Sequence, residues 1–284
     1  MPRVTGEIRA EFAVRGGRTQ LVGKYQTSPL KIAKTFRYEN ETLLPDKNTE
    51  DQLGVYVMDC SPGLMAGDHY ELNWRIGPGA KVFLTNQSFT KIHPAKDGVG
   101  STQKQVIMLD QDALLEYIPE PVMLYKDACY AGETEVYASA GSTLVWTDVL
   151  CPGRAQRGEI FQYESYANRL KVSYEGELIF YQNQQVLPSE MKLDAPGSWG
   201  PDTHMGSLFV CSDRIGLRQL ERLNEQLSAL NVREVRYGAS LTYKHGLMLT
   251  VLGRNAWQLQ DLLTKAWVIL RSSLLSLAPL TIHK

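Results

Sequence analysis

The sequence has none of the short motifs that most directly announce catalysis. No G-x-S-x-G nucleophile elbow, G-x-x-x-x-G-K-[ST] phosphate loop or H-E-x-x-H zinc helix occurs in its 284 residues, which removes the strongest signals for acyl transfer, nucleotide hydrolysis and metalloproteolysis. Cysteine is sparse: Cys60, Cys129, Cys151 and Cys211 lie far apart and form no C-x-x-C pair. Reduced, packed thiols are expected, and with five scattered histidines no dense Cys/His metal cluster is encoded. Charge of one sign is also lacking. A formal net charge of -1 gives no long-range attraction to nucleic acid or anionic lipid, so neither is an expected partner. No uninterrupted apolar run is long enough to cross a bilayer, since the stretch from Trp267 to Leu280 is broken by Arg271, serines and Pro279. Met1–Glu7 holds no apolar signal core, and a cytoplasmic protein is expected.

What is present reads as a folded β protein, with 43% hydrophobic and 21% charged residues. Its centre is the loop Ser61-Pro62-Gly63-Leu64-Met65-Ala66-Gly67-Asp68, where proline fixes one φ and two glycines open others. Behind it, Tyr70, Leu72, Trp74 and Ile76 alternate with polar residues, Gly77-Pro78-Gly79 turns the chain, and Ala80, Val82 and Leu84 continue it. Upstream, Ile8 to Val14 and Leu21 to Tyr25 flank Arg15-Gly16-Gly17-Arg18 as an antiparallel pair. A further extended piece starts at Pro29, and Glu39 to Gln52 reads as a polar, mobile loop.

A strand, a turn and a second strand recur around Gly79, Asp112, Gly141 and Gly176, a spacing of roughly 30–35 residues. Such a period suits either stacked β-units, each unable to bury its apolar face alone, or a plain sandwich of hairpins. Beyond the turn-rich connector Ala195 to Pro201 the pattern changes. A short strand at Ser207 to Val210 precedes a helix capped at Ser212-Asp213 and carrying Ile215, Leu217, Leu220, Leu223, Leu227 and Leu230. A hairpin follows, Val232 to Tyr243 with Leu247 to Leu252, and then a second helix from about Asn255 to Leu275. That helix is apolar nearly all round, so it is either deeply buried or partly covered by another chain. The expected fold is mainly β, layered and sandwich-like or β-helical, in a single domain 1–284. It divides into a strand body (1–190) and a helix-hairpin-helix part (205–284).

Four motifs in order resemble the urease accessory protein family called UreD or UreH. They are Ser61-Pro62-Gly63-x-x-x-Gly67-Asp68 with Gly77-Pro78-Gly79-Ala80 and Thr85-x-Gln87-x-x-x-Lys91; Leu115-Glu116 with Pro119; Gly153-Arg154 with Gly158-Glu159-x-Phe161; and Asp213-Arg214 opening a helix. The chain departs at Leu64, where many members carry glycine, and at the bulkier Asn86-Gln87-Ser88-Phe89. The resemblance implies elongated layers of stacked strands, which favours the repeat. It also implies a non-catalytic metallochaperone scaffold that binds apo-urease and a UreF-type accessory protein. Through the latter it would engage a UreG-type GTPase that brings nickel to the urease metallocentre.

No tightly bound cofactor is expected, only transient Ni²⁺, because a delivery protein must release its ion. Candidate path residues are Asp68, Glu116, Asp148 and Glu159, with Arg154 pairing one of them; each has a structural ion pair as its alternative. Trp257, Trp267 and Leu270 are candidate partner contacts. The competing reading is a glycosidase-like hydrolase using Asp68, Glu116 and Glu120, whose separation would decide the chemistry.

Overall fold

The computed structural model describes residues 5–40, 50–230, 232–280 and 282. Two antiparallel hairpins open the chain: β1 (Gly6–Arg15) with β2 (Arg18–Gln26), and β3 (Leu30–Asn40) with β4 (Glu50–Asp59). The polar stretch expected as a mobile loop is strand at both flanks, and its middle, 41–49, lies outside the described residues.

From here successive strands go alternately to two facing sheets. β5 (His69–Ile76), β8 (Ser101–Leu109), β11 (Cys129–Ala138) and β13 (Ser165–Tyr174) join the first; β6 (Lys81–Asn86), β9 (Leu114–Tyr117) and β12 (Thr143–Cys151) join the second. Two short strands, β7 (Thr90–Ile92) and β10 (Val122–Leu124), pair with each other on the return path. Each strand pairs in parallel with its counterpart one coil later: His69 lies beside Thr102, Thr102 beside Ala131, and Ala131 beside Ala167. The spacing read from the turns is therefore the coil repeat, and the layers are stacked and solenoid-like. The strands flanking Gly79, Asp112 and Gly141 do not pair with one another. Only the turn at Gly176 closes a hairpin, between β13 and β14 (Glu177–Val186).

Turns stack as the strands do. The N–H of Gly79 donates to Gln111 O at 2.9 Å, and that of Asp112 to Ala140 O at 3.1 Å. Asp112 and Gly141 sit at φ 57° and 71°. A Cβ at Gly141 would lie 2.1 Å from Asp112 Oδ1, so a tight left-handed turn and close stacking both select glycine there.

Beyond β14 the chain extends the second sheet through β15 (His204–Cys211) and the hairpin β16 (Val235–Leu241) with β17 (Gly246–Gly253). The first sheet runs β14-β13-β11-β8-β5-β1-β2 and the second β16-β17-β15-β12-β9-β6-β4-β3. Helices α1 (Leu217–Ala229) and α2 (Ala256–Leu270) cover the second sheet's outer face, and α2 continues as a π-helical turn, Arg271–Leu275. Two cores result: one between the sheets, around Phe12, Trp74 and Ile107, and one under the helices, around Phe83, Leu208 and Trp267. A sheet covered on both faces explains why β12 reads almost continuously apolar.

Two sequence expectations are corrected here. The first helix starts at Leu217 with Gly216 as its N-cap, and Gln219 reaches back to the Gly216 N–H at 3.1 Å. Ser212 does not reach the helix, its Oγ accepting from Thr143 Oγ1 at 3.1 Å and from Arg214 N at 3.4 Å. Strand β16 starts at Val235 rather than Val232. Among the described residues no helix is long and apolar enough to cross a membrane.

Candidate functional site

The loop after β4 is a hydrogen-bonded knot. Asp59 Oδ1 accepts from Ser61 N at 2.9 Å and Ser61 Oγ at 2.6 Å, while Tyr70 OH donates to Asp59 Oδ2 at 3.1 Å. Leu64 N–H donates to Lys91 O at 2.9 Å, and His93 N–H returns to Leu64 O at 2.9 Å. Gly63 has φ 136°, and a Cβ there would lie 2.4 Å from Lys91 O. Only glycine tolerates both the angle and the approach. Asp68 closes its own turn, accepting from Met65 N at 2.7 Å.

This knot borders a cavity of about 130 Å³ between the sheets. Asp59, Ser61, Pro62, Gly63, Thr85, Gln87, Lys91 and Glu120 line it, with Gln103, Thr134, Trp146, Asp148, Tyr166 and Asn168. The strands supply these groups by alternation. On β12, Leu144, Trp146 and Leu150 face the inter-sheet core while Val145 and Val149 face the helices, so Asp148 points inward among apolar neighbours. Ser207 Oγ donates to Asp148 Oδ1 at 3.0 Å. Burial nevertheless pushes the Asp148 carboxyl up to about 6, because a charged oxygen in this setting loses more hydration than the Ser207 hydroxyl and the neighbouring Trp146 indole return. Thr85 is fully buried and donates to Ile118 O at 2.6 Å.

The other sequence candidates are placed elsewhere. Glu116 is completely buried, not in the cavity but beneath α2. Its Oε1 accepts from Trp267 Nε1 at 2.7 Å; its Oε2 accepts from Gln52 Nε2 at 2.7 Å and forms an ion pair with Arg271. Arg271 completes the cluster by donating to Gln52 Oε1 at 3.0 Å and Ala278 O at 2.7 Å. Arg154 does pair with a candidate carboxylate, Glu159, through Nε to Oε2 at 2.7 Å, and its guanidinium lies 4.2 Å from the Tyr125 ring centroid. The hydrogen bond from Arg154 holds the Glu159 carboxyl below its ordinary range. Asp68, Glu116, Asp148 and the Arg154–Glu159 pair are thus in four different surroundings.

Of the three expected partner contacts, Trp267 and Leu270 are each 1% exposed beneath the second sheet, and Trp257 is 66% exposed. The apolar circumference of α2 is explained by burial. Sequence reasoning left out Asp59 among the carboxylates and did not place Glu120 on the cavity; neither lies inside a regular alternation that would have pointed to it. Gln103 and Asp148 left a readable signal, since both are polar at inward positions of strands. Among the described residues no three of His, Cys, Asp and Glu converge closely enough to hold a metal ion.

Comparison with known proteins defines the class. The pattern of the UreD urease accessory protein family matches residues 4–282. A urease accessory protein UreD of Acetivibrio thermocellus is 33% identical over 90% of this chain and 92% of its own length. UreD of Lysinibacillus sphaericus is 32% identical over 79% and 82%, and UreH of Helicobacter hepaticus is 29% identical over 76% and 81%. The protein belongs to the UreD family of urease accessory proteins.

Proposed function

We propose that this protein is a non-catalytic scaffold that binds apo-urease and assists GTP-dependent nickel insertion, together with a UreF-type accessory protein and, through it, a UreG-type GTPase. Family membership supports the assembly role. The observation that carries the nickel step is the inter-sheet cavity, whose lining includes Asp59, Glu120 and Asp148 and only one lysine, Lys91. Oxygen donors from carboxylate, amide and hydroxyl groups can hold a divalent cation loosely, and loose holding suits an ion in transit. Asp148 is the path carboxylate in this reading; Glu116 and the Arg154–Glu159 pair keep the scaffold in shape, and Asp68 shapes the loop. Trp257 is the partner contact that α2 offers.

The hydrolase alternative lacks a supporting observation. Of its three carboxylates only Glu120 lines the cavity, while Asp68 and Glu116 are engaged elsewhere.

Reconstitution tests the proposal. Apo-urease, the UreF-type protein, the UreG-type GTPase, GTP and Ni²⁺ are combined with and without this chain, and urease activity and complex recovery are followed. Activation that depends on the chain, and falls with Asp148→Asn while assembly persists, is the expected result. Equal activation without the chain overturns the scaffold role. Unchanged activation by Asp148→Asn removes that carboxylate from the path.

A further inference from the structure

The inter-sheet cavity is bordered by two hydrogen-bond donors that a bare cation could not satisfy. Trp74 of β5 and Trp146 of β12 reach it from opposite sheets and are 1% and 6% exposed; neither Nε1 has an acceptor at hydrogen-bond distance among the described residues. Trp146 favours the charged form of Asp148 without bonding to it at that distance. A buried donor without a partner is costly, and water is an acceptor of the right size. At roughly 10–15 Å³ of free volume for each water, the 130 Å³ cavity admits about ten. Pro62, Gln87, Ser88 and Lys91 of its lining are exposed, so solvent reaches it there.

The carboxylates of the cavity do not form a closed ligand set. Asp59 has both oxygens engaged, one by Ser61 and the other by Tyr70. Glu120 Oε2 accepts from Gln260 Nε2 of α2 at 3.0 Å, and Asp148 Oδ1 accepts from Ser207. Among the described residues no three of His, Cys, Asp and Glu gather around one point. A divalent first-row ion in water carries a first shell of about six oxygens. Stripping that shell would leave one or two carboxylate oxygens to compensate the lost hydration, against the positive ends of both indole N–H dipoles. Keeping the shell reverses the balance: coordinated water donates to Asp148 in charge-assisted hydrogen bonds, and further water accepts from the indoles.

We propose that the cavity takes its divalent cation as an aquo ion with the first water shell intact, and that Asp148 holds it outer-sphere by accepting hydrogen bonds from coordinated water. The inference rests on the nickel reading and adds to it the chemical form of the cargo. Preference among metals by ligand type, which orders affinities from Mn²⁺ up to Ni²⁺ and Cu²⁺, has little hold where water stays bound. Charge and the size of the shell then decide what enters, and the identity of the metal is settled by the component that loads the ion.

Indole N–H resonances of the full chain report the cavity directly, with Trp74 and Trp146 assigned through Trp74→Phe and Trp146→Phe and exposed Trp257 as the control. Paramagnetic Mn²⁺ is titrated first; Ni²⁺, Mg²⁺ and hexaamminecobalt(III), whose ammine shell does not exchange, are then added separately as competitors. Mn²⁺ should broaden the Trp74 and Trp146 signals before that of Trp257, and Asp148→Asn should abolish this selectivity. All three competitors should reverse the broadening, with Ni²⁺ and Mg²⁺ within about threefold of each other. Reversal by Ni²⁺ but not by hexaamminecobalt(III), or Ni²⁺ at least tenfold more effective than Mg²⁺, overturns the aquo-ion form and leaves the nickel path standing. Indole signals untouched by millimolar Mn²⁺ and Ni²⁺ alike overturn the path itself, and this inference with it.

Discussion

Glu116→Gln should cost this protein more stability than any surface substitution. The change keeps the volume and one acceptor oxygen but removes the charge facing Arg271, whose side chain has no solvent contact. It also sets an amide N–H₂ against donors, because Glu116 receives hydrogen bonds from Trp267, Gln52 and Arg271. Breaking one side of a buried pair costs about 3–5 kcal/mol. At roughly 2–4 °C per kcal/mol for a large domain, the melting temperature should fall by roughly 6–20 °C. Circular dichroism and urea titration on the same preparation give the value. The pair Glu116→Leu with Arg271→Met should be much less damaging than the sum of its single changes, with a coupling on the order of 2 kcal/mol or more. A fall below about 1 kcal/mol for Glu116→Gln, or additive single changes, would refute the claim that this cluster ties α2 to the strand body.

Three further outcomes are expected. Gly63→Ala forces a Cβ against the Lys91 carbonyl at φ 136° and should destabilise by on the order of 2 kcal/mol, read by urea unfolding. Trp257→Ala removes an exposed ring, so it should leave the melting temperature within a degree or so while lowering recovery of the accessory complex in a pull-down. Asp148 has a folded-state carboxyl raised from 3.8 to about 6, so the folded protein binds more protons than the unfolded chain between those values. Stability contributed by this group is highest below that window and declines as pH rises through it. Asp148→Asn should flatten the decline and raise stability at pH 8 by on the order of 2 kcal/mol, because part of the shift is screened through the cavity. A melting temperature at pH 8 unchanged by the substitution would contradict the burial argument.

Much of the architecture was written in local signals. The turns at Gly79, Asp112, Gly141 and Gly176 marked the coil period because each needs a residue that tolerates positive φ within a few positions. Choosing between hairpins and coils was beyond local pattern, since β5 alternates in the same way whether its neighbour is β6 or β8; the family resemblance tipped the choice. The cap at Ser212-Asp213 misled because a Ser-Asp pair before a leucine series looks the same whether its side chain meets a helix or, as here, Thr143. All-round apolarity of α2 admitted two explanations, and only packing shows Trp267 stacked on Phe83 at 5.7 Å and bonded to Glu116. Glu116 itself stood in a family-like motif, but no spacing could tell a passage carboxylate from the anchor of a helix 151 positions away.

The contrast between the two inward carboxylates gives the strongest reason to separate scaffold from site. Glu116 spends both oxygens on three donors, one of them the Arg271 cation, and its burial is compensated within a closed cluster. Asp148 has no cationic partner among the described residues; the Ser207 hydroxyl donates to it and the Trp146 indole favours its charged form, both neutral groups. The result is a carboxyl whose ordinary ionisation is opposed by its surroundings. A neutral Asn would fit the same strand position with less penalty, and the carboxyl lines an inter-sheet cavity rather than lying in sealed packing. Local choices that work against stability concentrate where function needs them. By that reasoning Asp148, not Glu116, is the carboxylate on which a cation-handling role should be tested first.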